Sequence, residues 1–512
     1  MTNATADVLV VGAGHNALVC AGYLAKAGLE VIVLEARDVI GGNTVTEELT
    51  LPGWHHDSCS SAHVVLQSNP LIRADELGLL EHHGLEYLVT DPAVVTMTEQ
   101  HGALVIPPDL DRAVAEFARF STRDADALRR MIEDWDGGLA RVHAHVSAGL
   151  PIPPGPEADR YEALRARSAW GVVHDTFEHP AVRQAMMWLA FATIQPPRRP
   201  GTGALPAAIT AGRLRFGWST PVGGSGALPA ALRRQIEAAG GLVVTGAEVD
   251  EILSENGRAV AVRTVDGRRF NARRAVVTAS HLAALPQLLG EATPPDVADA
   301  AAAWRPGLAL FAVHLALRAD VRYRTPVGAI TAVAGGIGSP EGLARQVDRV
   351  FAGELERDDP WILVVSSTSV DPSRAPGGVL KFLTVAPTLL AGREWEPADA
   401  DAYARRLVEI VQRYVEGLDD DDILAMSPES PATLATHNPA NIGGSCHGGE
   451  FLLDDGRIIP GWTDYRTGLD GLYLTGSTSH PGGSVSGRPG RNAARVVLGD
   501  LGIDPATVMP GI

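Results

Sequence analysis

The chain has 512 residues, 45% hydrophobic and 20% charged, with 43 basic against 61 acidic side chains and a net charge of −18. That length suits about three domains or two large ones, and the ordinary balance argues against disorder and against a fibrous fold. So acidic a surface argues against nucleic acid as the main partner, because phosphates need clustered Lys and Arg; it also disfavours docking to anionic lipid, leaving a local apolar patch as the route to peripheral membrane contact. Lysine occurs only at Lys26 and Lys381. The cysteines are Cys20, Cys59 and Cys446, with no C-x-x-C, so neither a disulfide framework nor a zinc knuckle is expected and the usage suits a reducing cytoplasm. No basic n-region precedes the first apolar run, and no run of 18 apolar residues occurs, so neither a signal peptide nor a transmembrane helix is expected.

The first elements form a β–turn–α–β unit. Val8–Val11 is a short β-branched run, Gly12-Ala13-Gly14-His15-Asn16-Ala17 follows, and Ala17–Ala27 is small and apolar at helical spacing until Gly28. Val31–Leu34 is a second apolar run leading to Glu35. This is the layout of a dinucleotide-binding unit. Gly12 permits the tight turn, Gly14 lets backbone approach a pyrophosphate, and Ala17 lets helix and strand pack closely. The helix start offers free N–H groups and a positive dipole end to phosphates. Glu35 lies 21 residues after Gly14, where a carboxylate accepts hydrogen bonds from ribose hydroxyls. A simple helix-capping turn would leave that acid without a role.

Next comes Ala36-Arg37-Asp38-Val39-Ile40-Gly41-Gly42-Asn43-Thr44, whose glycine doublet brings more backbone to the phosphates. From Glu35 through Arg37 to the doublet, the segment resembles the start of the FAD-dependent amine oxidase and phytoene desaturase superfamily. The resemblance implies noncovalent FAD touching Gly12, Gly14, His15, Asn16, Ala17, Glu35, Ala36, Arg37, Gly41, Gly42 and Asn43. Many members carry arginine after the doublet, so their arginine–phosphate contact has no counterpart at Asn43.

Trp54–His63 is rich in small polar residues and histidine and reads as a loop, which the resemblance places beside the flavin. Adjacent His55 and His56 are poorly arranged to share a metal, and no metal is expected. Asn69–Phe216 reads mostly helical, with a stiff proline stretch at Pro151–Pro156. Within it, Ala185–Phe191 is bulky and apolar: either a core helix or a substrate-tunnel wall. Pro221–Pro229 is a second glycine cluster with no clear strand before it. A helix at Ala230–Ala239 and strands at Leu242–Val244, Ala247–Val249, Ala259–Thr264 and Ala275–Thr278 follow. In the resembled family this block returns to the FAD domain, and the residue at Val249 holds adenine through its backbone. No separate NAD module is expected.

Leu308–Leu317, Trp361–Ser366 and Leu380–Val385 read as strands of a further sheet, and Ala402–Val415 as an amphipathic helix. Gly471–Ser477 is a buried strand ending in glycine, and His480–Gly487 precedes a helix near Pro489. These resemble the family's last FAD motif, with Gly476 and Ser477 at the ribityl-phosphate and Ser484 and Val485 at the flavin ring. Asn438–Gly449 and Pro460–Thr467 are similar to the desaturase-related branch.

The expected fold class is α/β. A Rossmann-like FAD-binding domain of the glutathione reductase/amine oxidase type, discontinuous over 1–72, 216–300 and 440–512, carries an α+β substrate domain over 73–215 and 301–439. The resemblance implies an FAD-dependent oxidoreductase acting on a lipophilic, unsaturated small molecule, by dehydrogenation, desaturation or flavin-assisted isomerisation at carbon–carbon bonds. His63, Tyr465 and His480 are candidates for polar groups beside the flavin, with a structural role equally open for each. Two alternatives stand: a flavin amine oxidase, for which Lys381 is the sole candidate for a lysine at flavin N5, and a non-catalytic FAD-bound interaction protein. Substrate identity, electron acceptor and oligomeric state are not legible in the sequence.

Overall fold

The computed structural model describes residues 3–325, 328–450 and 464–511. Part of the Pro460–Thr467 stretch, residues 460–463, lies outside them.

The β-branched run at the N-terminus becomes the central strand Asn3–Val11 of a seven-stranded sheet. It pairs in parallel with Val31–Leu34 on one side, Val8 opposite Val31, and with Arg269–Thr278 on the other, Val8 opposite Ala275. Leu242–Val244 extends the parallel array past Val31–Leu34, and Leu472–Leu474 joins Arg269–Thr278. The antiparallel strands Val249–Glu255 and Arg258–Thr264 complete the sheet. Three stretches far apart in sequence therefore meet in one sheet. Helix His15–Lys26, apolar on nearly every face, is buried from Asn16 to Ala25, as such a helix must be in water. It packs on helices Arg488–Asp500 and Ala227–Ala238. Arg491 on the first of these donates two 2.8 Å hydrogen bonds to the buried Glu76 carboxylate, which also accepts from the Tyr23 hydroxyl at 2.5 Å.

A second seven-stranded sheet runs in the order Ile423–Glu429, Ala309–Leu317, Gly378–Ala386, Ile362–Ser366, Ala334–Ile337, Val94–Thr98, Gly102–Ile106. Its two long central strands are buried on both faces. Strand alternation explains how. Leu310 and Ala312 face helix Pro180–Phe191, whereas Phe311, Val313 and Leu315 face helix Pro397–Gln412.

The structure refines three readings. The Asn69–Phe216 stretch is not purely helical, because Val94–Thr98 and Gly102–Ile106 form a hairpin at the edge of the second sheet. Ala185–Phe191 is core rather than tunnel wall. Trp188 is 1% exposed, its indole N–H donates to the Ile362 carbonyl at 3.0 Å, and its ring stacks on Trp361 at 5.7 Å. Trp54–His63, read as a loop, contains a short strand, His56–Asp57, paired with Thr46–Glu47. Among the described residues, no helix is long and apolar enough to cross a membrane.

Candidate functional site

A cavity of about 540 Å³ takes its walls from both sheets. At one end lie the strand-end residues Val11 and Leu34 of the first sheet, and at the other Leu310, Leu363 and Leu383 of the second. All sixteen residues singled out as cofactor contacts line it, from Gly12 through Glu35 and Asn43 to Val249, Gly476 and Val485.

The turn after Asn3–Val11 needs glycine: Gly12 has a φ of +89°, a region that side chains disfavour. Gly14 caps helix His15–Lys26 without any side-chain cap, so first-turn N–H groups remain without an intrahelical partner. A Cβ on Gly14 would meet no protein atom within 4 Å, so the space beside it is open cavity. The glycine doublet docks on this turn: Gly41 N–H donates to Ala13 O at 2.8 Å, and His15 N–H donates to Gly41 O at 3.3 Å. The buried Glu35 carboxylate accepts from Ala13 N–H at 2.7 Å and Arg37 N–H at 3.0 Å, which aims it at the cavity.

His15 joins the two ends of the chain. Its Nε2 donates to the Ser484 carbonyl at 3.2 Å, so Nδ1 accepts from the Thr44 hydroxyl at 3.0 Å. Burial lowers its pKa to about 4, so the ring is neutral at pH 7. Asn43, where many members of the resembled family carry arginine, bonds protein. Its Nδ2 donates to Asn441 Oδ1 at 2.7 Å and Cys446 O at 3.2 Å, and its Oδ1 accepts from Asn438 at 2.8 Å and Asn441 at 3.0 Å. These bonds fasten 438–446 against the glycine doublet. There Cys446 and Cys59, both on the cavity wall, bring their sulfurs to 3.5 Å.

None of His63, Tyr465 and His480 lines the cavity. His63 is buried with Nδ1 at 2.9 Å from the Tyr87 hydroxyl, and burial lowers its pKa to about 3. The Tyr465 hydroxyl donates to His480 O at 2.6 Å and accepts from Asn492 at 2.8 Å, while the His480 ring donates to Val146 O at 2.6 Å. Each of the three is thus bonded to protein backbone or side chains outside the cavity lining.

Behind the Cys59–Ser61 wall lies a polar network that no local pattern signals. Lys381 Nζ, 3% exposed, donates to Asp57 O at 2.9 Å, Cys59 O at 2.7 Å and Ser61 Oγ at 3.1 Å. The Asp57 carboxylate pairs with buried Arg374 at 3.1 Å. Glu429 pairs with His314 at 2.7 Å and His437 at 2.6 Å. Burial pushes the Glu429 pKa up, but the hydrogen bonds from both histidines outweigh it and hold the pKa at about 2. A carboxylate depressed in the folded state stabilises above its unfolded pKa and loses that contribution as pH falls through the folded value. The difference in melting temperature between the protein and Glu429→Gln should therefore shrink as pH drops from about 4.5 towards 2. A difference constant across that window would mean that the pairing does not depress Glu429.

Sequence reasoning missed much of the apolar end: Ile194, Trp218, Leu310, Trp361, Leu363 and Leu383 all line the cavity. The strand residues among them alternate as one face, a pattern visible in the sequence, but which face meets a cavity is decided by packing. Among the described residues, no cluster of three or more histidine, cysteine or acidic side chains is arranged to hold a metal.

The cavity's chemistry fits a dinucleotide cofactor: open glycines, an uncapped helix start and an aimed carboxylate at one end, with aromatic and aliphatic walls at the other. Comparison with known proteins agrees. The profile of the family described as flavin containing amine oxidoreductase matches residues 18–498. The chain is 28% identical to the pyridine nucleotide-disulfide oxidoreductase domain-containing protein 2 of Mus musculus, over 97% of this chain and 94% of that one. It is 27% identical to one of the subunits of the limonene dehydrogenase of Castellaniella defragrans, over 97% and 95%. In fold it is similar to a putrescine oxidase double mutant redesigned in cofactor binding, with a TM-score of 0.63, 16% identity and coverage of 98% and 100%. The paired terminal motifs and the matched profile lead to one conclusion: the chain is an oxidoreductase that belongs to the flavin-containing amine oxidoreductase family.

Proposed function

We propose that the protein is an FAD-dependent oxidoreductase that acts on an apolar, unsaturated small molecule at a carbon–carbon framework, with FAD held noncovalently. The observation that carries this reading is the continuous cavity that joins the dinucleotide motifs to a chamber walled by Trp218, Leu310, Trp361 and Leu383. The likeness to a limonene dehydrogenase favours a hydrocarbon-like substrate over a small polar one. The FAD-binding part comprises 1–72, 216–300 and 440–512, and the substrate part 73–215 and 301–439.

Each residue has a task in this reading. Asn16 and Ala17 offer helix N–H groups to the pyrophosphate, Glu35 accepts from the ribose, and Val249 meets the adenine through backbone. Gly476 and Ser477 approach the ribityl-phosphate, and Ser484 and Val485 the ring. When bound, the isoalloxazine supplies a two-electron acceptor. The protein orients the substrate against it and excludes water with the apolar wall. His63, Tyr465 and His480 are positioning residues that hold the loops forming the cavity.

Denaturing the purified yellow protein should release about one FAD per chain. A colourless chain that binds NAD and not FAD would overturn the reading. Glu35→Ala should weaken FAD binding by roughly tenfold to a hundredfold, since a hydrogen bond to a charged group is worth about 1.5–3 kcal/mol. Equilibrium dialysis of FAD measures this, and an unchanged Kd would remove Glu35 from the ribose.

A further inference from the structure

Among the described residues, the carboxylic and guanidinium side chains on the cavity wall are four: Glu35, Arg37, Arg213 and Glu248. Three of them sit together at the dinucleotide end, where Ala247 N–H donates to Glu35 O at 2.8 Å. Arg213 stands apart. It comes from the last turn of helix Leu205–Phe216, next to Leu214 of the apolar cluster that also contains Trp218, Trp361, Leu363 and Leu383.

Its surroundings do not match its chemistry. Arg213 is 6% exposed, and its Nε and Nη1 have no hydrogen-bond acceptor. No carboxylate among the described residues pairs with it. Its guanidinium lies 4.4 Å from the centroid of the Trp218 ring, and the Trp218 indole N–H also lacks an acceptor. Both groups are donors only, and a buried cation without a partner is costly. Burial lowers the arginine pKa to about 9, so the guanidinium is still charged at pH 7. A cationic fork with free donors, stacked on an aromatic face beside an apolar chamber, matches a ligand with an anionic, planar acceptor group.

We propose that Arg213 determines substrate specificity by binding the carboxylate of an otherwise apolar substrate, whose hydrocarbon part lies along Leu310, Trp361 and Leu383. This deepens the reading above and rests on its assignment of the chamber to the substrate. It also disfavours amines, because a protonated amine would meet an unneutralised guanidinium and no acidic side chain at this end of the cavity.

The test uses octanoate, 1-octanol and octylamine, titrated into the protein as purified and followed both by calorimetry and by the visible flavin spectrum. Octanoate should bind at least tenfold more tightly than 1-octanol, and octylamine more weakly than either. Arg213→Met should weaken octanoate at least tenfold and change 1-octanol less than twofold, with FAD content and the ligand-free flavin spectrum unaltered. Arg213→Lys, which keeps the charge, should retain part of the preference. Octanoate binding no better than 1-octanol in the unmodified protein overturns the proposal whether or not the variants fold. An Arg213→Met protein that folds but loses FAD or shifts its flavin spectrum also overturns it, by giving the guanidinium to the cofactor. A colourless chain that still selects octanoate through Arg213 by calorimetry would sink the flavin reading and keep the anion site.

Discussion

Lys381→Met should destabilise the fold by about 3–5 kcal/mol while leaving reoxidation of the reduced flavin by dioxygen within about tenfold of the unmodified protein. The ammonium is buried in the second sheet on strand Gly378–Ala386, and its three donors already serve Asp57 O, Cys59 O and Ser61 Oγ. Methionine has similar bulk and no donor, so it would leave three acceptors behind the cavity wall unpaired. Each such group costs about 1–3 kcal/mol. Burial lowers the lysine pKa, partly opposed by Cys59 and the Asp57 carboxylate, and it is the three acceptors that fix where the ammonium sits. Lys381 does not line the cavity, which separates it from an ammonium acting through water on the flavin. Thermal melting and stopped-flow reoxidation of dithionite-reduced protein measure the two effects. A fall in reoxidation of a hundredfold or more, with FAD bound and the fold intact, would place Lys381 in the chemistry and favour amine oxidation.

Trp188→Ala should cost a similar about 3–5 kcal/mol, as a lower melting temperature rather than as weaker ligand binding. The indole fills the space between helix Pro180–Phe191 and strand Ala334–Ile337 so closely that a Cβ on Gly336 would lie 2.6 Å from its ring. Removing it strands the Ile362 carbonyl and takes away the stacking partner of Trp361. Trp361, unlike Trp188, lines the cavity, so some loosening of the apolar wall should follow. The informative comparison is Trp188→Phe, which keeps most of the volume and should recover most of the stability. If Trp188→Ala melts like the unmodified protein but loses octanoate or 1-octanol affinity, the side chain belongs to the chamber after all.

The cofactor end is legible in the sequence because its determinants are local. A tight turn, a helix start and an acid 21 residues past Gly14 are adjacent along the chain, and β–α–β geometry alone brings them to one edge of a sheet. The residues Val249, Gly476, Ser477, Ser484 and Val485 are reached through resemblance, and the folded chain sets all five on the same cavity wall. The long apolar strands are also readable, since Leu308–Leu317 carries burial on both faces in its composition. The hairpin at 94–106 is lost to a helical reading, although Val94–Thr98 is β-branched and Gly102 follows a polar turn. The three polar candidates His63, Tyr465 and His480 cannot be ranked from the sequence, because a histidine or tyrosine in an irregular stretch reads alike whether it faces a ligand or a carbonyl. Tertiary structure alone decides the rest. Lys381 meets acceptors more than 300 residues away, Asn43 meets partners almost 400 residues away, and Arg213, on a helix, shares a cavity wall with Leu310, Leu363 and Leu383 of the second sheet. Such contacts follow from how buried faces pack, and packing is a property of the whole fold that no window of sequence contains.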